Sequence, residues 1–408
     1  MSLLINAISN GLSRFLRLNE KSKEDSSLCV FEVLDDPSTH SLMQYLRNMI
    51  MIHNDEDVDN PTLSSVTDQK SLTNNGSSIC MVLGYLGIFV MVLFLVLLRL
   101  QRIKMKIDAL PHNNITQALL EQCHSEEYLV CLGDSLTHAT VSANYITLLD
   151  TLLSTDKHRA HLKIVNGGIN SELVYNLRQR IHDVLKLKPK VVTLMIGSND
   201  TKALAVPNCG IDSKHRMNLP QIPTLDFFEK NLKEVLQLLY NGLSSNSEIY
   251  VCSIPPLGED VDSRYNAIHV TRANQLIQKL IETITTSRMG KSSANGKHSK
   301  NNPSIHYVPI FEKCSQVLRY HASLRHKKLV SFEKWSLRRT VLTSILHYTF
   351  GISWNTLGSM LYGYYITVEG LHLNDRGAEI VARTMAATIQ NLPLDDIQYS
   401  FLKHENMG

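Results

Sequence analysis

The sequence lacks any Cys-x-x-Cys pair, and its seven cysteines stand at spacings that fit no zinc site. An odd, unpatterned set also suits a reducing compartment better than a disulfide framework. Cys131 and Cys252 lie inside apolar runs and read as buried core thiols. An excess of one charge is missing too: 41 Lys and Arg face 38 Asp and Glu, for a formal net charge of +3. Aromatics make up only 7% of the chain, and no basic stripe interleaves with them, which argues against a nucleic-acid partner.

The most informative absence is local. Residues 79–98 contain no Asp, Glu, Lys, Arg or His. A helix of that length rises roughly 30 Å, one bilayer crossing. A buried core helix would be shorter and amphipathic, and the run begins too deep in the chain for a cleaved signal peptide. Arg99, Arg102, Lys104 and Lys106 follow it, whereas Lys70 and Asp68 precede it, with Asp55, Glu56, Asp57 and Asp59 further out. Basic residues favour the cytoplasmic side, so the C-terminal portion is expected to face the cytosol.

What is present divides around that run. Residues 1–78 form a largely polar N-terminal region: 3–18 suit a short amphipathic helix with Arg14 and Arg17, and 54–78 are polar enough to be disordered. Residues 99–127 read as a basic linker. From Tyr128 onward, short apolar runs alternate with helical periodicity. Candidate strands are 128–132, 163–165, 191–196, 249–254 and 305–308, and the helix 172–187 puts Leu173, Leu177, Ile181, Val184 and Leu185 on one face. Five strands separated by helices imply a parallel sheet covered on both sides. Two insertions interrupt it, at about 287–302 and 320–366. The first is a Ser, Asn, Lys and Gly mixture that reads as an exposed loop. Within the second, 341–368 has no charged side chain except His347 and suits a lid, an interfacial segment or core. A C-terminal tail covers 393–408.

Three loops at strand ends hold polar residues of a kind that chemistry uses. Gly133-Asp134-Ser135-Leu136 follows the first strand, Asn166-Gly167-Gly168 ends the second, and Gly197-Ser198-Asn199-Asp200 ends the third. Parallel sheets place their ligand crevice at such ends. Glu369-Gly370-Leu371-His372 precedes a final amphipathic helix. A serine hydroxyl is a poor nucleophile until a base takes its proton, and an imidazole such as that of His372 suits the task. Charge developing on a carbonyl oxygen needs preorganised donors, which the N–H groups of Ser135 and Gly168 and the side-chain amide of Asn199 could supply. Asp134 and Asp200 suit loop bracing through backbone hydrogen bonds.

This combination resembles the GDSL, or SGNH, hydrolase family over about 128–392. In that family the nucleophile, an oxyanion-hole glycine, an oxyanion-hole asparagine and the base occupy four blocks, which match Ser135, Gly168, Asn199 and His372 in order. The resemblance implies a three-layer, flavodoxin-like α/β fold around a parallel five-stranded sheet, here preceded by a single transmembrane helix. The family usually has Asp three residues before the histidine, where this chain has Glu369. A glutamate can orient the histidine in serine triads on other folds, and it is preferred here to Asp375. The resulting expectation is a single-pass membrane hydrolase that cleaves carboxylic esters, of a lipid or another acyl group, through an acyl-serine intermediate, with no metal or organic cofactor. Acyl-CoA thioester cleavage and carbohydrate O-deacetylation use the same residues and remain open, as does a catalytically silent acyl-binding module.

Overall fold

Residues 69–122, 126–286, 302–326, 328–332 and 335–405 are described in the computed structural model. The expected helix 3–18 and nearly all of the 287–302 loop lie outside them. The chain divides into two compact units, residues 1–92 and 93–408. In the first, the described residues are the helical stretch 69–92.

Helix α1, Gln69–Asp108, contains the apolar run and exceeds it at both ends. Its part Met81–Asp108 is long and apolar enough to cross a membrane. Residues 69–78, expected to be disordered, are helical, and so is the start of the expected linker at 99–108. Nucleating a helix is the unfavourable step, whereas each further residue adds a hydrogen bond, so a helix started by the apolar run propagates into polar flanks.

The second unit is built on five parallel strands: β1 Tyr128–Gly133, β2 Lys163–Gly168, β3 Val191–Met195, β4 Glu248–Cys252 and β5 Ser304–Val308, in the order β2-β1-β3-β4-β5. Side chains alternate across a strand, so Tyr128, Val130 and Leu132 enter one core while Leu129 and Cys131 enter the other. Burial on both faces explains why β1 reads as a continuous apolar run rather than an alternation.

Helices α2 Val174–Lys186, α3 Leu225–Gly242 and α4 Thr271–Thr286 cover the first face. Leu177, Ile181 and Val184 of α2 are fully buried there, as the 3.6-residue period requires. Helices α5 Ile310–Arg325 and α6 Asp375–Ile389 cover the second. Because α5 seats Cys314, Val317 and Leu318 in this core, it runs through the expected start of the second insertion at 320. The tail is packed as well: Tyr399 is buried, and Ser400 bonds to Glu379 through its N–H and hydroxyl.

The segment 341–368 proves to be core at one end and surface at the other. Its helix α7, Leu337–Phe350, buries Thr340, Thr343 and Ser344 and exposes Leu342 and Phe350. Further on, Tyr364, Ile366 and Val368 are buried, whereas Met360 is 79% exposed.

The hairpin that follows is held from outside by one carboxylate. Glu259 accepts the main-chain N–H groups of Tyr365 (2.7 Å), Ile366 (2.7 Å) and Thr367 (2.9 Å) and the Thr367 hydroxyl (3.0 Å). Burial pushes its carboxyl up to about 7 against the pull of those four donors. Glu259→Gln turns an amide NH2 toward main-chain donors. It is expected to cost about 2–3 kcal/mol and to lower Tm by several degrees; an unchanged thermal transition would show that these bonds do not hold the hairpin.

Candidate active site

Register brings three loops to one edge of the sheet. Gly133 pairs with Gly168 on one side and Met195 on the other, so the chain leaves β1, β2 and β3 at the same level. Ser135 follows at once, opening the short helix Ser135–His138, with the Asp134 carboxylate accepting Leu136 N–H at 3.0 Å. Asp200, one residue beyond Asn199, accepts Val174 N–H at 3.2 Å. Both aspartates are therefore loop braces, and burial raises them to about 6 and about 7. Each keeps one oxygen, Oδ2 of Asp134 and Oδ1 of Asp200, buried without a partner among the described residues.

The fourth block arrives from far along the chain. Val368 N–H donates to His372 O at 2.7 Å, and Thr367 bridges Leu373, closing a tight turn around Gly370. Gly370 has φ +97°, and a Cβ there would lie 2.7 Å from the Tyr364 hydroxyl, so both backbone and space require glycine. Asn374 pins the turn to α6: its carbonyl oxygen caps Arg376 and Gly377, and its amide donates to Tyr365 O and Thr367 O. Such a cap is worth about 1 kcal/mol to the helix, and it also fixes where His372 stands, two residues upstream.

There His372 Nε2 lies 2.9 Å from Ser135 Oγ, across 237 residues of sequence. His372 Nδ1 bonds to Glu369 Oε1. With the proton on Nδ1 facing the carboxylate, Nε2 presents its lone pair to the serine hydroxyl. Ser135, His372 and Glu369 are 6%, 5% and 0% exposed, so the three form a nearly dry relay. Asp375 takes no part: its Oδ2 accepts Asn355 N–H at 3.3 Å. Glu369 Oε1 also accepts the Thr340 hydroxyl at 3.2 Å, a partner supplied by α7. The second insertion thus reaches the site and holds the longer carboxylate.

The expected oxyanion donors are placed unequally. Ser135 N–H has no partner among the described residues. Asn199 donates one amide proton to Glu172 O at 3.1 Å and has a second without a partner among the described residues. Gly168 differs from expectation, because its N–H donates to Asn166 Oδ1 at 2.9 Å. Its lack of a side chain serves packing instead, since a Cβ there would lie 2.2 Å from His138 N. Three residues on, Ser171 holds φ +65° and its N–H has no partner among the described residues. Ile169 N–H bonds to Gly133 O, and Glu172 O receives Asn199, so 169–172 crosses between the serine and asparagine loops. A serine with positive φ leaves no mark in the sequence, which is why Ser171 is not legible there.

The far side of the Ser135 loop is clamped by the end of α1. Ile107 O accepts the Thr140 hydroxyl (3.1 Å) and the Asn170 amide (2.9 Å), and the Tyr348 hydroxyl on α7 donates to Thr140 O (2.5 Å). Arg99 donates to Tyr348 O and Lys106 lies 4.5 Å from the Tyr348 ring centre. A fragment beginning at residue 108 would lose the Ile107 bonds that brace Thr140 and Asn170.

Comparison with known proteins adds the following. A family model described as GDSL-like Lipase/Acylhydrolase matches residues 129–385. No curated protein sequence matches the chain. Among solved structures, a catalytic mutant of an acetylxylan esterase from Geobacillus stearothermophilus aligns with a TM-score of 0.42 at 15% identity, covering 66% of this chain and 96% of that one. A further mutant, titled an acetyl-xylooligosaccharide esterase from the same source, gives 0.43 at 15% identity over 64% and 94%. An α/β hydrolase enzyme from the metagenome of Lake Arreo, Spain, gives 0.40 at 16% identity over 65% and 96%. Likenesses this distant transfer no substrate.

Proposed function

The chain belongs to the GDSL-like lipase/acylhydrolase family and is a serine esterase, and from that premise we propose a membrane-anchored enzyme that cleaves an acyl ester by way of an acyl-Ser135 intermediate. The observation that carries the proposal is the buried line of contacts from Ser135 Oγ through His372 to Glu369. In the first step His372 Nε2 takes the Ser135 proton as Oγ attacks the ester carbon, and Glu369 stabilises the resulting imidazolium. Collapse of the tetrahedral intermediate expels the alcohol, to which His372 returns the proton. A water molecule activated by the same imidazole then releases the acid and restores the serine.

Ser135 N–H, Ser171 N–H and the second Asn199 amide proton are the donors assigned to the oxyanion, with Ser171 taking the place expected for Gly168. The anchor is assigned to the apolar part of α1, and its presence supports a lipid or other membrane-associated acyl substrate. The test is hydrolysis of a panel of acyl esters, acyl-CoA thioesters and acetylated sugars by the full-length chain in detergent. Preference for long-chain esters supports the proposal; preference for acetylated sugars would replace the lipid substrate, and no turnover of any member would refute the assignment.

The four basic residues after the apolar run support a catalytic unit on the cytosolic side. A C-terminal tag is accordingly expected to be digested by protease on intact microsomes without detergent, and its protection would reverse the orientation. Asn199-Asp200-Thr201 and Asn114-Ile115-Thr116 have the Asn-x-Thr pattern of glycosylation acceptors, but Asn199 is 3% exposed and unsuited to carry a glycan in the folded state. At Asn114, Oδ1 caps a helix by accepting Gln117 N–H at 3.0 Å. Asn199 is thus buried, whereas Asn114 is half-buried, with its amide NH2 donating to Pro111 O.

A further inference from the structure

Lys202 is 5% exposed, an unusual place for an ammonium group. It lies three residues after Asn199 on the helix Ser198–Ala205, so the two side chains meet on one face. Its Nζ donates to Asn199 Oδ1 at 2.8 Å and stands 4.8 Å from the centre of the Trp335 ring. A ring face offers a buried cation partial compensation for lost water, but a methionine would fill the same space with no such cost.

The ammonium can only donate and the Glu172 carbonyl can only accept, so together they fix the Asn199 amide in one orientation. A flipped amide would set NH2 against the ammonium and oxygen against the carbonyl. In the orientation observed, one amide proton is held by Glu172 O and the other has no partner among the described residues. A cation on Oδ1 also draws electron density away from Nδ2, which makes that remaining proton a stronger donor. The low dielectric of a buried site lets the positive charge act across the length of one amide.

Building on the serine-esterase reading, we propose that Lys202 is a positioning residue that orients and polarises Asn199, so that it binds the oxyanion more strongly than the ground-state carbonyl. The effect belongs to kcat, because the charge it answers exists only on the way to the tetrahedral intermediate.

The charge state provides a readout that packing does not. Burial, followed by repulsion from Arg216, lowers Lys202 to about 8, while Cys209, Asp134 and Glu369 pull the other way. These are the charged and titratable groups that face it, from the helix Pro207–Arg216, the nucleophile loop and the histidine turn. A lysine is charged below its pKa. Its support for the rate is therefore present at neutral pH and lost as pH rises through about 8.

The test uses the full-length chain in detergent, with p-nitrophenyl acetate as probe and thermal unfolding as the check on folding. Lys202→Met is expected to lower kcat by about 10- to 100-fold at neutral pH with KM within about threefold of wild type. Lys202→Arg, whose charge persists far above pH 8, is expected to keep at least about a tenth of the wild-type kcat and to lose the alkaline fall. Wild-type kcat in Lys202→Met, a loss confined to KM, a Lys202→Arg variant below that level, or one that retains the wild-type alkaline fall, would each overturn the proposal. If Lys202→Met does not fold, the rate and pH profile of Lys202→Arg decide alone. Failure here with Ser135→Ala inactive would leave the esterase reading standing, whereas a wild-type chain that does not turn over the probe would remove the reading beneath it.

Discussion

Ser135→Ala is expected to lower ester turnover by at least about a thousandfold and to abolish labelling by a fluorophosphonate, with the thermal transition unchanged. The size follows from the role: without Oγ no acyl intermediate can form, and what remains is the catalysis that binding and the oxyanion donors give to water attack. Folding should survive because, among the described residues, the Ser135 hydroxyl hydrogen-bonds only to His372. His372→Ala is expected to match it, since an unassisted hydroxyl is nearly as inert as an absent one. The double variant should be little worse than either single one, because the two side chains act as one unit. A Ser135→Ala protein that kept more than about a tenth of wild-type turnover would show that another group is the nucleophile.

Glu369→Gln is expected to lower kcat by about 10³- to 10⁴-fold, with KM nearly unchanged. An amide at this position either turns its NH2 toward His372 Nδ1, forcing the proton to Nε2 where it blocks the base, or accepts without stabilising the imidazolium. Glu369→Asp separates an adapted pocket from a decayed one. Glu369 Oε1 is held jointly by His372 and by Thr340 on α7, and a side chain one methylene shorter cannot keep both at these positions. A fall in kcat of about 10- to 100-fold is therefore expected for aspartate. If aspartate raised the rate instead, Glu369 would be a liability tolerated by the fold. Equal rates for all three proteins would remove it from the relay altogether.

The three-layer sheet was legible because its signals are short-range. A strand buried on both faces is a run of apolar residues, a covering helix repeats every 3.6 residues, and a strand that ends in a polar turn announces a loop. The expected strands 163–165 and 249–254 differ from β2 and β4 only at their ends, where pairing across the sheet decides how far a strand extends. Residues 69–78 are polar yet belong to α1, because polarity argues for disorder only where nothing nearby nucleates structure. The α7 segment resisted reading for another reason. Its buried Thr340, Thr343 and Ser344 look polar in sequence, and their hydroxyls are satisfied inside the protein, Thr340 by Glu369 and the other two by the turn before them.

The sequence by itself determined the apolar run of α1, the five strands, and the four polar blocks with their order. Each depends on residues within a few positions of one another, where composition and period suffice. Only the tertiary structure decided which atoms of those blocks face one another. It gave Gly168 N–H to Asn166, left Ser171 N–H without a partner among the described residues, set Lys202 on the amide of Asn199, and brought Thr340 from 29 residues away to hold Glu369. A hydrogen bond is won or lost over a few tenths of an ångström and a few tens of degrees. Geometry that fine is set by packing among distant segments, which no local pattern encodes.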